Sequence, residues 1–467
     1  MRGNVIAAIS TPPGKGGVAV IRMSGDGAID IARRVFEPAA SKKSLDDYAP
    51  RTQIYGYIIY NEERIDDVML TVFPSPRSYT GEDVVEISCH GGALITKYVL
   101  EALLVAGATP AEAGEFTRRA FLNGKLSLSE AEAIGTLLEA ASREQIRLST
   151  SPARTRLAAR IDDIRKDMTD VMSSIYARID YPDEDLGEFT DEQTVERLKA
   201  TRAALTRLID TYRTGRAITE GVKTVICGKP NVGKSTIYNL LLGEEEAIVT
   251  DIAGTTRDVL HSNIPLGRVI LRLYDTAGIR SGESIDTVES IGIERSREQI
   301  GEADLVLAVF DLSRPFDSYD RELINELQKT NAARVCILNK VDAVSGGGAF
   351  DKEELDEDLF DETVTTSAAS DEESVVERLS EIINRLFTDE KISTSSDAII
   401  SSARQHSTLL RARDFIDTAI GAYEIGLPAD AASSDVEMAL GAISEIDGRA
   451  VSEGVVADIF SKFCVGK

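Results

Sequence analysis

Short runs dense in apolar, β-branched and aromatic residues lie at Val18–Met23, Ile54–Tyr60, Val68–Phe73 and Val84–Ser88, with few polar positions inside them. Such runs read as strands. A few helical stretches separate these runs, so residues 1–120 read as an α+β domain. From Lys125 the spacing lengthens: Leu126, Ala131, Ile134, Leu138 and Ala141, then Ile161, Ile164, Met168, Val171 and Ile175, recur at helical intervals in a segment rich in Ala, Glu and Arg. Tyr181-Pro182-Asp183-Glu184-Asp185 breaks the pattern, and a further helix is expected over Val195 to Tyr212. Residues 217–387 instead carry short, mostly apolar runs (Val222–Cys227, Val269–Tyr274, Val335–Leu338), as buried strands of an α/β domain do. After Thr388 helical periodicity returns with Leu409, Leu410, Ile416 and Ile420, then Val436, Leu440 and Ile443. Four segments follow: 1–120 (α+β), 121–216 (helical), 217–387 (α/β) and 388–467 (helical). The two helical blocks flank the α/β segment and are expected to pack together, although two independent helical tails fit the same periodicity.

Gly228-Lys229-Pro230-Asn231-Val232-Gly233-Lys234-Ser235 lies between the Val222–Cys227 run and a helical pattern at Ile237, Leu240 and Leu241. Strand, glycine loop and helix in that order form a phosphate site, where loop and helix N–H groups wrap the anion. Lys234 is expected at the β- and γ-phosphates, Ser235 on Mg²⁺, and Val232, Gly233 and Thr236 around them. Asn339-Lys340-Val341-Asp342 follows an apolar run, at a strand's carboxyl end, where ligands of open α/β sheets bind. The Asp342 carboxylate can accept from both the N1–H and the amino group of guanine, a donor pair that adenine lacks. Ser367-Ala368 fits the backbone contact to guanine O6. Asp275-Thr276-Ala277-Gly278 supplies a carboxylate for the Mg²⁺ shell and a glycine N–H for the γ-phosphate. These elements in this order point to GTP rather than ATP.

Ras-like enzymes place Gln directly after the DxxG glycine to orient the attacking water. This chain has Ile279, which cannot. Thr250-Asp251-Ile252-Ala253-Gly254-Thr255-Thr256 fits a switch I loop, with Thr256 as a second Mg²⁺ ligand. The Asn231 amide, with backbone carbonyls of that loop (Thr250, Ile252, Thr255), can hold K⁺ against the phosphates and supply the charge an arginine finger supplies elsewhere. Glu289 is then a candidate to orient the water. A solvated helix start explains the same glutamate equally well.

The motifs extend beyond the nucleotide segment. Ala8-Ile9-Ser10-Thr11-Pro12-Pro13-Gly14-Lys15-Gly16-Gly17, Ser78-Tyr79-Thr80-Gly81-Glu82-Asp83, His90-Gly91-Gly92, Gly114-Glu115-Phe116-Thr117-Arg118-Arg119-Ala120-Phe121-Leu122-Asn123-Gly124-Lys125 and the terminal Phe463-Cys464-Val465-Gly466-Lys467 together resemble the MnmE (TrmE) family of bacterial tRNA-modification GTPases. The resemblance implies a multidomain chain: an α+β folate-binding-like N-terminal domain that dimerises, an all-α helical domain, and an α/β P-loop (Ras-like) GTPase domain inserted in the helical one. It also implies a 5-formyl-tetrahydrofolate-type cofactor at Arg22, Glu86, Lys125 and Lys467. Glu86 suits the amide and amino group of a pterin, and the cations suit folate carboxylates or a formyl oxygen. Cys464 lies in the tail that the family places at the folate, so a catalytic thiol and passive packing are both open. The partner implied is the FAD protein MnmG (GidA), in a heterotetramer or larger assembly, with tRNA as substrate. FAD and NADH then belong to that partner, since no Rossmann GxGxxG is present.

Charge and cysteine usage narrow the picture. A net charge of −26 argues against a broad electrostatic grip on nucleic acid, so tRNA must meet a local basic area or be carried by a partner. Four cysteines without CxxC spacing and three histidines give no disulfide or metal framework. Neither a leader nor a membrane-length apolar run is read, which favours the cytoplasm. Two other readings share features. A ribosome-assembly GTPase of the Era or Der type has similar nucleotide motifs but should carry a basic KH-like domain. A folate-dependent one-carbon transferase explains the first domain but leaves the GTP motifs idle.

Overall fold

The computed structural model describes residues 4–40, 44–181, 189–243, 261–274, 299–344, 355, 357–367 and 372–466. They divide into two units, one formed by residues up to Gly135 together with those from Gly441, the other by Thr136–Leu440.

The first unit contains strands β1 (Ile6–Ile9), β2 (Gly16–Ser24), β3 (Phe36–Pro38), β4 (Gln53–Tyr60), β5 (Glu63–Phe73), β6 (Val84–Gly91) and β7 (Thr109–Pro110), of which β2, β4, β5 and β6 contain the four apolar runs of the sequence. They form one sheet in the order β3-β4-β5-β6-β2-β1-β7, antiparallel apart from the β1/β7 edge. Alternation decides the faces. Ala19, Ile21 and Met23 of β2, Val68 and Leu70 of β5, and Val85, Ile87 and Cys89 of β6 share a core with Ile31, Ala32, Val99 and Leu103 from helices Ala28–Val35 and Ala93–Val105. The intervening residues therefore point to the other face, where Phe116 of helix Glu115–Leu122 covers Ile6 and Ala8. Val456 and Phe460 of the last helix, Glu453–Ser461, pack on Leu128 and Ala131. Burying a side chain of Phe460's size contributes about 1.5–3 kcal/mol.

In the second unit helix Asp191–Asp210 lies against both Ser151–Asp180 and Ala403–Glu424. Helices before and after the α/β segment thus share one bundle, and the α/β segment is an insertion in it. The Asp191–Asp210 helix starts where Thr190 and Gln193 form a reciprocal cap. The inserted sheet contains β8 (Val222–Cys227), β9 (His261–Leu266), β10 (Val269–Tyr274), β11 (Leu305–Asp311), β12 (Ala333–Asn339) and β13 (Glu362–Thr365), in the order β13-β12-β11-β8-β10-β9. β9 runs antiparallel on the edge and the others are parallel. Both faces are covered, which explains the unbroken apolar runs. Leu305, Leu307 and Val309 join the core that contains Ile237, Leu241, Leu379 and Ile383. Val306, Ala308 and Phe310 meet Leu323, Ile324 and Leu327 on the opposite side. Strand order reverses at β8, so a crevice is expected at its carboxyl end.

Candidate functional site

That crevice holds the glycine loop. β8 ends at Cys227 and helix Lys234–Leu242 begins after Gly233, whose φ of 109° is left-handed. A Cβ on Gly233 would lie 2.1 Å from Asn339 Nδ2, so the position tolerates only glycine. Val232 is fully buried in the sheet core and anchors the loop from below. Lys234 Nζ donates to the carbonyls of Gly228 (2.8 Å) and Lys229 (2.6 Å), and burial lowers its pKa. A phosphate offers charged acceptors in place of those neutral carbonyls. Ser235 is exposed on the first helical turn, with Thr236 next to it.

The base side is built from the ends of β11, β12 and β13. The buried Asn339 amide donates from Nδ2 to Val232 O (2.8 Å) and accepts at Oδ1 from Thr366 Oγ1 (3.2 Å). One side chain thereby ties the phosphate loop to two strand ends. Lys340, itself left-handed (φ 64°), donates from Nζ to Asn231 O (2.6 Å) and pairs with Asp311 Oδ2 (2.8 Å). Asp342 follows in a short 3-10 turn, Val341–Ala343, and is exposed. Ser367 is buried beyond β13. Lys229 runs the other way. Its side chain is 9% exposed and pairs with Asp317 (2.7 Å) and Asp320, at the start of helix Ser318–Leu327.

A second polar cluster lies on the face of the first sheet that helix Glu115–Leu122 covers. Arg22 and Glu86 are register partners across β2 and β6, and Arg22 Nε donates to Glu86 Oε1 (2.8 Å). The guanidinium lies 5.7 Å from the ring centres of both Tyr79 and Phe116. The C-terminal tail closes on it: Gly466 O accepts from Ser10 Oγ (2.9 Å) and, more distantly, from Arg22 Nη1 (3.4 Å), while Val465 bridges Ala113. Lys125 Nζ donates to Pro76 O (3.1 Å), on the same 75–83 loop that brings Tyr79 to Arg22. Cys464 is exposed.

Comparison with known proteins now decides the family. A family model described as the GTP-binding protein TrmE N-terminus matches residues 5–125, and the MnmE helical domain model matches residues 128–464. The tRNA modification GTPase MnmE of Thermotoga maritima is 39% identical over 464 residues, spanning 99% of this chain and all of the relative. The chain belongs to the MnmE family. Relatives of the same name from Clostridioides difficile (36% identical over 468 residues, 99% of each chain) and Streptococcus thermophilus (39% over 466 residues, 99% of this chain and 98% of the relative) extend the match across the whole length.

Measured against the residues expected of an MnmE-family GTPase, the structure brings Asn231, Val232, Gly233, Lys234, Ser235, Asn339 and Lys340 together at one crevice, and Arg22, Glu86 and the tail before Lys467 at another. Thr250–Thr256, Asp275–Gly278, Glu289, Ala368 and Lys467 lie outside the described residues. Lys229, Asp311 and Thr366 are structural members of the nucleotide crevice that motif reading passes over. A signal for Asp311 does exist: it ends the strand Leu-Val-Leu-Ala-Val-Phe-Asp, a carboxylate at the close of a buried apolar run. Ser10 and Tyr79 are likewise added to the Arg22 cluster only by the fold.

Proposed function

We propose that this chain couples GTP hydrolysis, the activity of its family, to modification of the tRNA wobble position. In this reading it acts as a homodimer in the cytoplasm and, with the FAD protein MnmG, installs a carboxymethylaminomethyl or aminomethyl group at C5 of uridine 34, a tetrahydrofolate supplying the carbon. The observation that carries the nucleotide half is the tie from Asn339 to Val232 O beside Lys340 on Asn231 O, which places a base-reading loop against a phosphate loop. The collinear match to relatives named for tRNA modification supports the other half.

The residues suit the groups this reading requires. Lys234 is poised to exchange two loop carbonyls for β- and γ-phosphate oxygens. The exposed Ser235 hydroxyl suits Mg²⁺, a hard cation that takes oxygen ligands, with Thr256 and Asp275 as the other expected contributors. Asn231 is exposed and left-handed, with its backbone carbonyl engaged by Lys340, which leaves its amide to a monovalent cation. Held there, such a cation would offset the negative charge of the transferring phosphoryl group, and Glu289 would orient the water in place of the glutamine that Ile279 replaces. At the second cluster Arg22 engages Oε1 of Glu86, both side chains are partly exposed, and the exposed Tyr79 ring offers a flat surface beside them, which together suit a pterin with its amide and amino edge. Lys125 and Lys467 serve the folate's carboxylates, and Cys464 is the candidate thiol.

Steady-state GTP hydrolysis at fixed Mg²⁺ and ionic strength, with Na⁺ replacing K⁺, tests the reading on the natural chain and Glu289→Ala. The expected result is strong K⁺ dependence that the variant loses. Equal rates in both salts would overturn the cation-assisted mechanism.

A further inference from the structure

We propose that Asp311 is a positioning residue of the nucleotide crevice, acting through Lys340. The inference rests on the guanine-nucleotide reading above. Asp311 ends β11 after six buried apolar residues and is itself 6% exposed. A carboxylate there is costly unless its charge is fully met. It is met at both oxygens: Oδ1 accepts from Ser313 N (3.0 Å) and Ser313 Oγ (2.6 Å), and Oδ2 accepts from Arg314 Nε (2.9 Å) and Lys340 Nζ (2.8 Å). Burial by itself raises the Asp311 carboxyl, but the hydrogen bonds from Lys340, Ser313 and Arg314 outweigh it and hold the group well below the usual carboxylate range.

The other acceptor of Lys340 is Asn231 O, at 2.6 Å. Asn231 and Lys340 are both non-glycine residues in the left-handed region, each at φ 64°. Such backbone persists where surrounding contacts over-determine it. Here one ammonium group joins the two strained residues, one in the phosphate loop and one in the base loop, and among the described residues Asp311 is the only charged acceptor of that ammonium. Without the carboxylate, Lys340 keeps a single neutral carbonyl, and the two loops must be ordered at the expense of nucleotide binding. The Asp311 backbone pairs with Asn339 in the sheet, but its carboxylate bonds to Ser313, Arg314 and Lys340, and of these Lys340 is the one that reaches the phosphate loop, so the effect of the carboxylate on affinity passes through Lys340.

A double-mutant cycle on mant-GDP affinity, measured with the full chain, tests this. Asp311→Asn is expected to weaken binding on the order of 10-fold, as removal of one partner of a buried charge pair does. In a Lys340→Met background the same change should cost less than about twofold, because the ammonium through which it acts is gone. Asp311→Glu, which keeps the charge, should recover most of the affinity, and Arg314→Gln should leave it within about twofold of the natural chain. If Asp311→Asn does not fold, Asp311→Ser with Lys340→Met runs the same cycle. Unchanged affinity in Asp311→Asn, or a loss that adds fully to that of Lys340→Met, overturns the proposal while leaving the guanine reading intact. Failure of the natural chain to bind mant-GDP removes both.

Discussion

Gly466 has a φ of 96°, and a Cβ placed on it would lie 2.5 Å from the carbonyl oxygen of Ile9 and 2.9 Å from the Cα of Ser10. Gly466→Ala therefore adds a left-handed penalty of about 1–2 kcal/mol. Forcing a methyl against backbone adds about 1–3 kcal/mol more. Against this stand the contacts that hold the tail: Ser10 Oγ on Gly466 O at 2.9 Å, a long Arg22 contact at 3.4 Å, the Val465 bridge to Ala113, and Gly114 N on Cys464 O at 3.4 Å. At roughly 1 kcal/mol for each well-formed hydrogen bond and less for the long ones, the hold is about 2–3 kcal/mol. Strain equals or exceeds hold, so the tail should leave β1 rather than distort it. Loss of global stability is then capped near the tail's own contribution, about 2 kcal/mol. Amide exchange followed by mass spectrometry should show the 462–467 peptide losing protection while peptides containing Ile21 and Ile87 keep theirs. Unchanged exchange in the tail, with a lower Tm, would mean that β1 yields instead and would refute the reasoning.

Other outcomes follow from the same structure. Lys229→Met strands Asp320, whose side chain is 4% exposed, and should cost about 2–4 kcal/mol in urea unfolding of the full chain; Asp317→Ala, at a half-exposed helix cap, should cost about 1 kcal/mol, and equal losses would contradict the assigned burial. Burial raises the thiol pKa of Cys89 to about 11 and of Cys227 to about 12, and Cys336 is buried too, so DTNB at pH 7.5 should find one fast thiol, lost in Cys464→Ala; a second fast thiol would contradict the fold. The Asp66 hydrogen bond, then its charge, raises the pKa of the exposed His90, so the stabilisation is complete below the ordinary histidine value and disappears as pH rises through the raised folded value. An NMR titration of His90 should show a midpoint that Asp66→Asn returns to the ordinary range; an ordinary midpoint in the natural chain would exclude the pair.

Contiguous features of the chain were decided by the sequence itself. The run Gly228–Ser235 and the tetrad Asn339–Asp342 carry their chemistry in adjacent residues, because a phosphate loop works through successive backbone N–H groups and one helix start. Apolar runs likewise located β2, β4, β5 and β6 of the first sheet, and 3.6-residue spacing the helices of the bundle, since one-sided burial writes its period into an amphipathic helix; β1, β3 and β7 are too short or too mixed to stand out. Partnership at a distance was not legible. Arg22 and Glu86 face each other only because β2 and β6 pair in one register, and a slip by one residue would send them to opposite faces. Nothing in the sequence pairs Val456 and Phe460 with Leu128 and Ala131, and only packing brings them together in the first unit. For Asp311 and Lys229 the sequence names no partner, and only the tertiary structure sets Lys340 and Asp320 beside them. A charge has no periodicity of its own: its role is fixed by whichever opposite charge the folded core brings within about 3 Å while excluding water.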